Sequence, residues 1–271
     1  MQEIGNNTII NKPRLTIRIS RNTLSFSAVN PDEPGNIIYE PYTVKSGVSI
    51  AANLREAFKA IDLLRNGWQR AMILLDGPVL MLPVDTFNDA AADELFKYSM
   101  TGHDNDVILN TVLPSLNAVA VYPINKDLKQ VIDDHFSDVR YVHVCTPVWN
   151  HLYRRSFTGI RHKVYAYFHD RKMEVFCFLQ NSFRFTNSFE TTLAPDAVYY
   201  ILNVWKQLAL DNKRDELHLI GDLPERDSLV TELRNFIRNV YIINPKAEYN
   251  RAPITEIPNL PYDLITYFVK S

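Results

Sequence analysis

In the second half of the chain, apolar residues occur in runs whose spacing changes from two residues to about 3.6 residues. Three runs with a period of two come first, and helical and strand-like runs then alternate. The predicted elements are Lys163–Phe168, Met173–Leu179, Phe183–Phe189, Pro195–Leu210, Glu216–Ile220, Glu225–Ile237 and Val240–Ile243. This order, β-β-β-α-β-α-β, predicts a mixed α/β fold.

The three leading strands of this unit differ in the polarity of their faces. The first two are apolar on both faces, as expected for interior strands of a sheet that is covered on both sides. The third alternates apolar and polar residues between Phe183 and Phe189, which predicts an edge strand. Short polar turns at His169–Lys172 and Gln180–Ser182 are predicted to join the three strands.

The first half of the chain repeats this order if one segment is set aside. The predicted elements are Leu15–Ile19, Leu24–Ala28, Ile37–Val44, Ile50–Leu64, Ala71–Leu75, Leu128–Phe136 and Val139–Cys145. The remaining segment, about residues 79–123, has the pattern β-α-β-β and is predicted to be an insertion that forms a distinct exposed lobe. One face of the first hairpin has no apolar residue, and we expect it either to be wet or to line a cleft. Its residues are Thr16, Arg18, Ser20, Thr23, Ser25 and Ser27.

These patterns predict two α/β halves, residues 14–146 and 147–271, joined by a short helix. Two unrelated α/β domains would produce a similar alternation. Residues 1–13 are predicted to be a loose arm. The segment 244–261 contains four prolines, each of which fixes φ and lacks a backbone donor. We therefore expect an extended stretch over the surface, followed by a final helix, Tyr262–Val269.

Composition narrows the class of protein. The net charge of −2 and the pI near 6.4 give no electrostatic reason to expect nucleic acid as a partner. The chain has eight glycines in 271 residues, about 3% against a usual ~7%. It contains neither a G-x-G-x-x-G nor a Walker A sequence, so the sequence lacks the common phosphate-binding loops.

Cysteine use and hydropathy predict a compartment. Cys145 and Cys177 lie in apolar runs and are predicted to be buried free thiols, which fits a reducing environment. The first 13 residues lack the apolar run of a signal peptide. No stretch approaches the ~20 apolar residues of a membrane span. We therefore expect a cytoplasmic protein without a transmembrane segment.

Four groups of residues could carry chemistry, and each also has a plainer explanation. His143 and Cys145, with His151 nearby, offer metal ligands, but a core cysteine at a strand end explains the pattern more simply. His169–Asp170 could transfer a proton, although a solvated turn is the simpler interpretation, and Asp76–Gly77 fits a hairpin turn. A basic cluster at the joint could meet an anionic partner or form a solvated surface. It comprises Arg154, Arg155, Arg161, His162 and Lys163.

In the order of its elements over residues 14–244, the chain resembles the actin-like ATPase fold, a duplicated ribonuclease-H-like fold. Proteins with this fold include actin, sugar kinases and bacterial pilus and division proteins. The β-α-β-β insertion after Leu75 is similar in place to the extra subdomain of the pilus-assembly and division branch. The whole chain also resembles a Bacteroidetes family of unknown function with this fold, which implies no known activity.

The resemblance implies a phosphate site between the halves, but the residues there depart from the superfold's pattern. Its first hairpin normally has Asp-x-Gly, where this chain has Arg18-Ile19-Ser20. Its second hairpin repeats Asp-x-Gly, where His169–Lys172 has an acid and no glycine. The implied cleft residues are Ser20, Arg21, Asn22, Asp170, Arg171, Lys172, Gly221 and Asp222. Because side chains stand where phosphate oxygens should lie, we expect no metal and no cofactor.

Three classes of function remain open after these comparisons of pattern. The missing Asp-x-Gly pairs and the scarcity of glycine favour a non-catalytic scaffold that binds protein partners, with the insertion as the partner surface. The second class is a nucleotide-binding protein, kinase or ATPase with an atypical site between the halves. The third class is a small-molecule binder that uses the same cleft without turnover.

Overall fold

The computed structural model describes residues 13–156, 161–179 and 182–269. The predicted loose arm, apart from Pro13, and most of the turn predicted at Gln180–Ser182 lie outside these residues. The strands of the first half are β1 (Leu15–Ile19), β2 (Thr23–Val29), β3 (Ile37–Thr43), β4 (Arg70–Leu75), β5 (Leu80–Pro83), β6 (Asp106–Leu113), β7 (Ala118–Asn125) and β8 (Asp138–His143). Its helices are α1 (Ile50–Ala60), α2 (Asp89–Ser99) and α3 (Lys126–His135).

A connecting helix, α4 (Thr146–Ser156), leads to the second half of the chain, as predicted. The strands there are β9 (Lys163–His169), β10 (Lys172–Leu179), β11 (Ser182–Glu190), β12 (Glu216–Gly221) and β13 (Asn239–Ile242). The helices are α5 (Ala194–Gln207), α6 (Arg226–Arg234), α7 (Pro245–Glu248) and α8 (Tyr262–Phe268). No helix in the described part of the chain is long and apolar enough to cross a membrane.

Two five-stranded sheets have the same order and the same pairing senses. The first runs β3-β2-β1-β4-β8 and the second β11-β10-β9-β12-β13. In each sheet the two hairpin pairings are antiparallel and the last two pairings are parallel. The predicted element order therefore occurs in both halves. In the second sheet, β9 and β10 are largely buried and β11 lies at the edge, as their residue patterns predict.

The insertion forms a three-stranded sheet in the order β5-β7-β6, with α2 packed on one face. The two faces of β7 show how the insertion is attached to the rest of the molecule. Val119 and Val121 pack with Ala92 and Phe96 of α2 in a small separate cluster. The opposite face of β7, which carries Tyr122, belongs to the main core. The insertion is therefore continuous with the core, and does not form the distinct exposed lobe that its pattern suggested.

The proline-rich segment is folded where an extended stretch was predicted. Pro245 occupies the first turn of α7, and Pro253 begins a 3₁₀ turn, Pro253–Glu256. Proline is well suited to the first turn of a helix, because its missing N–H group has no helical acceptor there. The final helix was predicted, and α8 is a core element, since Asp263 and Leu264 are fully buried.

Two further expectations about the first half are wrong, and a third holds only in part. The polar face of the first hairpin is not wet, since Thr16, Arg18 and most of its other residues are buried, but Arg18 borders a small cavity. Asp76–Gly77 is not a hairpin turn, because β4 and β5 on either side of it belong to different sheets. Cys145 lies two residues beyond the end of β8 rather than inside a strand, although both cysteines are buried free thiols, as expected.

The largest apolar cluster joins the two halves of the chain. It includes the first sheet, the connecting helix with Trp149, residues Tyr165 and Tyr167 of β9, and α8. Such a shared core does not identify one residue at which one folding unit ends, so the boundary at residues 146–147 stays a prediction. The shared core places the β1–β2 turn, the β9–β10 turn and α8 next to each other. The candidate site lies where these three elements meet.

Candidate functional site

The turn after β1 and the turn after β9 are in direct contact. The hydroxyl groups of Ser20 and Thr23 donate hydrogen bonds of 3.1 and 3.0 Å to Oδ1 of Asp170. Asp170 itself has a positive φ of 47°, a conformation that Asp tolerates in tight turns. The two hairpins that the resemblance places on opposite sides of a phosphate site therefore bind each other through side chains.

Arg18 holds two carboxylates at this contact. Its Nε donates to both oxygens of Asp263, at 2.9 and 3.0 Å, and its Nη2 lies 2.6 Å from Oδ2 of Asp170. The hydroxyl group of Tyr167 donates to Oδ2 of Asp263 at 2.7 Å. We call Arg18, Tyr167, Asp170 and Asp263 the Arg18 cluster. It connects β1, the β9–β10 turn and α8.

The charge state of Asp170 follows from these contacts. Burial by itself raises the pKa of this carboxyl, but the hydrogen bond from His169 and the charge and hydrogen bond of Arg18 outweigh it. The pKa of Asp170 is consequently held well below its ordinary value. Asp170 is therefore ionised and already paired with Arg18 of the same chain.

Lys172 makes a second bridge between the halves. Its ammonium group forms an ion pair with Asp76, the residue after β4, and lies 2.9 Å from Oε1 of Glu174. Burial lowers the pKa of Lys172, but the charges of Glu174 and Asp76 outweigh it and raise the pKa above its ordinary value. We call Lys172, Asp76 and Glu174 the Lys172 cluster.

His169 lies between the two clusters. Its Nδ1 is 3.1 Å from Oδ2 of Asp170 and 3.3 Å from Nη2 of Arg18. Its ring stacks on Tyr167, with 4.6 Å between the ring centroids. On the other side its Nε2 faces the carboxylate of Glu174, with Oε1 4.0 Å away.

Gly221 is required by the close approach of β12 to β9. It has φ of +88°, and a Cβ atom at this position would lie 2.1 Å from the carbonyl oxygen of Phe168. The next backbone N–H group, that of Asp222, donates to the same oxygen at 3.0 Å. Gly221 thus serves strand packing here. A cavity of ≈ 190 Å³ lies beside Gly221 and Asp222, bounded on the other side by Asn259 and Tyr262.

The structure brings only part of the predicted cleft set together. Ser20, Asp170 and Lys172 are in the contact between halves, and Gly221 and Asp222 border the adjoining cavity. Arg21, Asn22 and Arg171 are exposed instead. The Nη1 atom of Arg21 lies 3.3 Å from Oε1 of Glu190 on the surface.

The metal ligands considered from the sequence are not assembled. His143 stacks on Trp149, and its two ring nitrogens lie 3.0 Å from the carbonyl oxygen of Gly77 and 3.3 Å from the backbone nitrogen of Cys145. Burial lowers the pKa of His143. The Nε2 atom of His151 lies 2.8 Å from Glu248 instead. The basic cluster at the joint likewise contacts acids, through the ion pairs of Arg155 with Glu248 and Arg161 with Glu216 and a hydrogen bond between His162 and Asp215.

Several residues of this site were not selected from the sequence. Asp263 lies 245 residues from Arg18, and Asp76 looked like part of a turn. Glu174 gave one signal that could have been used: it is the one acidic residue in the otherwise apolar run Met173–Leu179. A carboxylate inside a strand that is buried on both faces needs a cation or a donor nearby.

The described residues of the β1–β2 and β9–β10 turns do not form a phosphate cradle between the hairpins. A cradle requires backbone N–H groups that can approach an anion closely, and here the turn residues direct hydroxyl groups and carboxylates into that space. Within the described residues, Arg18 and Lys172 are the cations of this contact, and each is already bound to two carboxylates.

The comparisons with known proteins agree with this fold. A family model described as a protein of unknown function, DUF3822, matches residues 3–240. A crystal structure from Bacteroides thetaiotaomicron, of a protein with an actin-like ATPase fold and unknown function, is similar at 27% identity and a TM-score of 0.84. The match covers 99% of this chain and 100% of that one. No curated protein sequence matches the chain.

A more distant likeness extends to a pilus protein. The PilM–PilN type IV pilus biogenesis complex matches with a TM-score of 0.60 at 10% identity, over 95% of this chain and 99% of that chain. At this identity the match shows the fold alone. Together the two structures confirm the predicted fold class: a mixed α/β structure of the actin-like ATPase type.

Proposed function

The chain belongs to the DUF3822 family of proteins of unknown function, and we propose that it is a non-catalytic protein of the actin-like fold that binds a protein partner. The observation that carries this proposal is the closure of the contact between the hairpins by the chain's own ion pairs. Arg18 is bound to Asp170 and Asp263, and Lys172 to Asp76 and Glu174.

A nucleotide would have to break this contact in order to use the place that the fold provides. Its phosphates would meet four carboxylates, and the two cations that could attract them are already paired. Removing one partner from a buried ion pair costs about 3–5 kcal/mol, because the other charge stays buried without compensation. Phosphate binding would therefore have to offset this loss before it contributed any affinity.

Magnesium-dependent hydrolysis faces the same obstacle. In a phosphoryl-transfer site the protein positions the phosphates and the metal ion through close backbone and carboxylate contacts. The turn residue Ser20 and the cation Arg18 replace the glycine and the acid that the superfold uses in the first hairpin. Arg18 cannot coordinate magnesium, and Ser20 does not restore the close backbone approach.

The test is calorimetric titration with Mg-ATP, followed by a phosphate-release assay on the same preparation. We expect no heat of binding at physiological ATP concentrations and no turnover above that of a buffer blank. Micromolar binding that is lost in Asp170→Ala or Asp222→Ala would show a working nucleotide site, and the proposal of a non-catalytic protein would then be wrong.

We place the partner surface on the insertion, at a groove between two edge strands. The groove has a volume of ≈ 500 Å³ and is lined by β5 with its preceding Val79 and by residues Phe183–Asn187 of β11. Strand β5 pairs with β7 on one side, and β11 pairs with β10 on one side. In the described structure both strands therefore present an outer edge toward an open space.

Such a groove suits an extended peptide segment of a partner protein. The outer edge of a strand carries backbone donors and acceptors that an added strand can satisfy, and side-chain pockets beside it then select the sequence. The lining is apolar on the β5 side, with Leu80, Met81 and Leu82, and carries Arg184 on the β11 side. We therefore expect a segment with alternating apolar residues and at least one acid. The match of similar fold at a TM-score of 0.60 is itself part of a protein complex, that of PilM with PilN.

A peptide selection with matched variants tests this surface. We expect peptides selected on the whole protein to be extended, to bind Leu82→Asp at least about tenfold more weakly, and to bind Leu95→Asp unchanged. Leu95 lies on α2 of the same insertion, is 41% exposed, and does not line the groove. Peptides that lose affinity for Leu95→Asp while keeping it for Leu82→Asp would place the partner surface elsewhere.

The third class, a small-molecule binder, receives less support. The cavity beside Gly221 and Asp222 has a volume of ≈ 190 Å³. Pockets for small ligands and cofactors usually have volumes of about 300–1,000 Å³ and bury most of the ligand. This cavity is too small for a nucleotide or a sugar phosphate without movement of α8.

A further inference from the structure

Three potential metal ligands converge beside the Lys172 cluster. They are the thiol of Cys145, which follows β8, the imidazole of His169 at the end of β9, and the carboxylate of Glu174 on β10. One ligand atom from each lies within 4.8 Å of the other two. The three residues are 0%, 4% and 1% exposed, so the group is closed to bulk water.

Two of these side chains carry polar atoms that the surrounding protein does not satisfy. Within the described residues, His169 Nε2 and Glu174 Oε2 have no hydrogen-bond partner. The other oxygen, Oε1, takes the ammonium group of Lys172 as an ion pair at 2.9 Å. Burying polar atoms without partners is costly, so the free imidazole nitrogen and the free carboxylate oxygen point to a ligand.

The orientation of His169 is the one that a metal ligand needs. Its Nδ1 lies 3.1 Å from Oδ2 of Asp170, which the hydroxyl groups of Ser20 and Thr23 hold in place through Oδ1. A histidine that binds a metal through one ring nitrogen commonly donates the N–H of the other to a carboxylate, which fixes its tautomer. When Nδ1 donates to Asp170, the lone pair of Nε2 is directed toward Glu174.

The charges around this group also favour a cation. Four carboxylates, those of Asp76, Asp170, Glu174 and Asp263, face two cations, Arg18 and Lys172. All six side chains are 14% exposed or less. The buried centre therefore carries more negative than positive groups. A divalent ion would reduce this imbalance even after it displaced the thiol proton of Cys145.

We propose that Cys145, His169 and Glu174 bind one zinc ion, which holds the two halves of the molecule together. A thiolate, an imidazole and a carboxylate form the donor set that suits zinc, whereas magnesium prefers oxygen ligands in an octahedron. In this arrangement Lys172 keeps its ion pair with Asp76, and the metal takes an oxygen of Glu174. The ion links the segment after β8 to the β9–β10 hairpin, and it needs no nucleotide.

The first test uses tag-free protein prepared under reducing conditions. We expect about one zinc per chain by elemental mass spectrometry after dialysis. After removal of zinc by a chelator, loading with Co²⁺ is expected to give thiolate-to-cobalt charge-transfer absorption. Protein that keeps no zinc and shows no charge-transfer absorption with Co²⁺ would overturn the proposal without any variant being needed.

Variants then assign the ligands. We expect Cys145→Ser and Glu174→Gln to weaken Zn²⁺ binding at least about tenfold, with retained circular dichroism. The matched control is Cys177→Ser, the other buried thiol, which lies in the separate core of the second half and is expected to keep full binding. Equal loss in Cys177→Ser, or unchanged binding in Cys145→Ser, would show that the thiol of Cys145 is not a ligand.

A last variant distinguishes the metal from the ammonium group beside it. If the wild type takes up no Zn²⁺ while Lys172→Met does, then Lys172 itself fills the place of the cation and the proposal is wrong. We expect the wild type and Lys172→Met both to bind Zn²⁺, because Oε2 of Glu174 and Nε2 of His169 do not depend on the lysine.

Discussion

The guanidinium of Arg18 lies 2.9 Å from the carboxylate of Asp263, although 245 residues separate the two in the chain. Arg18 is on the first strand of the first sheet, and Asp263 is on the last helix. Both side chains are almost completely buried, at 3% and 0% exposure. The helix α8 is thus anchored to the first sheet by a buried ion pair.

Asp263→Ala is expected to lower the free energy of unfolding by about 3–5 kcal/mol, because it leaves the buried guanidinium of Arg18 with only part of its compensation. Urea denaturation followed by circular dichroism measures the change. The control is Glu190→Ala, which removes the partner of Arg21 on the surface, where both side chains are more than 80% exposed. That substitution is expected to change stability by less than about 1 kcal/mol. Similar losses in the two variants would contradict a special role for the Arg18 cluster.

Asp170 should make the stability of the protein depend on pH. Its folded-state pKa is depressed by His169 and Arg18, which outweigh burial. The resulting stabilisation is therefore fully present above the unfolded pKa of about 3.9 and is lost as pH falls toward the folded value. We expect the stability difference between wild type and Asp170→Asn to be constant near neutral pH and to shrink below about pH 4. A difference that stays constant through the acid range would mean that Asp170 is not held as a carboxylate.

Gly221 offers a direct test of close packing between β12 and β9. Gly221→Ala is expected to destabilise the protein by more than about 1 kcal/mol, because it combines positive φ with a clash against Phe168. Gly102→Ala is the matched control, since Gly102 also has φ of +88° but has no atom within 4 Å of the added Cβ. The excess loss in Gly221→Ala over Gly102→Ala, measured by thermal unfolding, reports the clash alone. Equal losses of stability in the two variants would show that the positive φ, and not the contact with Phe168, is the reason for glycine at position 221.

The C-terminal helix should behave as a core element. Leu264→Ala is expected to lower the free energy of unfolding by about 2–5 kcal/mol, the usual range for a buried leucine. Leu95→Ala, at a position that is 41% exposed on α2, is expected to cost much less. If chemical denaturation gave the same small change for both, α8 would not contribute to the core.

Much of the fold could be predicted from local pattern. The change of apolar period from two to 3.6 gave the order of strands and helices in both halves and the β-α-β-β insertion, because each element must bury one face or both. The edge position of β11 also followed from its alternation. The same reasoning gave the wrong structure for the proline-rich segment 244–261. Proline occurs in the first turn of helices as well as in extended chain, and only the helical conformation of the following residues distinguishes the two cases.

The candidate site was harder to predict, because its charges are paired across long separations. Local pattern identified Ser20, Asp170 and Lys172 through the positions of two hairpin turns, and these residues do meet. It also selected Arg21, Asn22 and Arg171 from the same turns, and these are exposed, since adjacent residues in a turn point in different directions. The residues next to Asp76 and Asp263 in the sequence did not indicate that these carboxylates pair with Lys172 and Arg18.

The sequence by itself determined the element order, the fold class and the loss of both Asp-x-Gly turns, because each of these depends on residues that are close together in the chain. The tertiary structure alone decided that α8 covers the polar face of the first hairpin, that Arg18 pairs with Asp170 and Asp263, and that Lys172 pairs with Asp76. The physical reason is that a buried charge pairs with whichever opposite charge lies next to it in the folded core. A strand of polar residues shows no apolar pattern in the sequence that would reveal its burial.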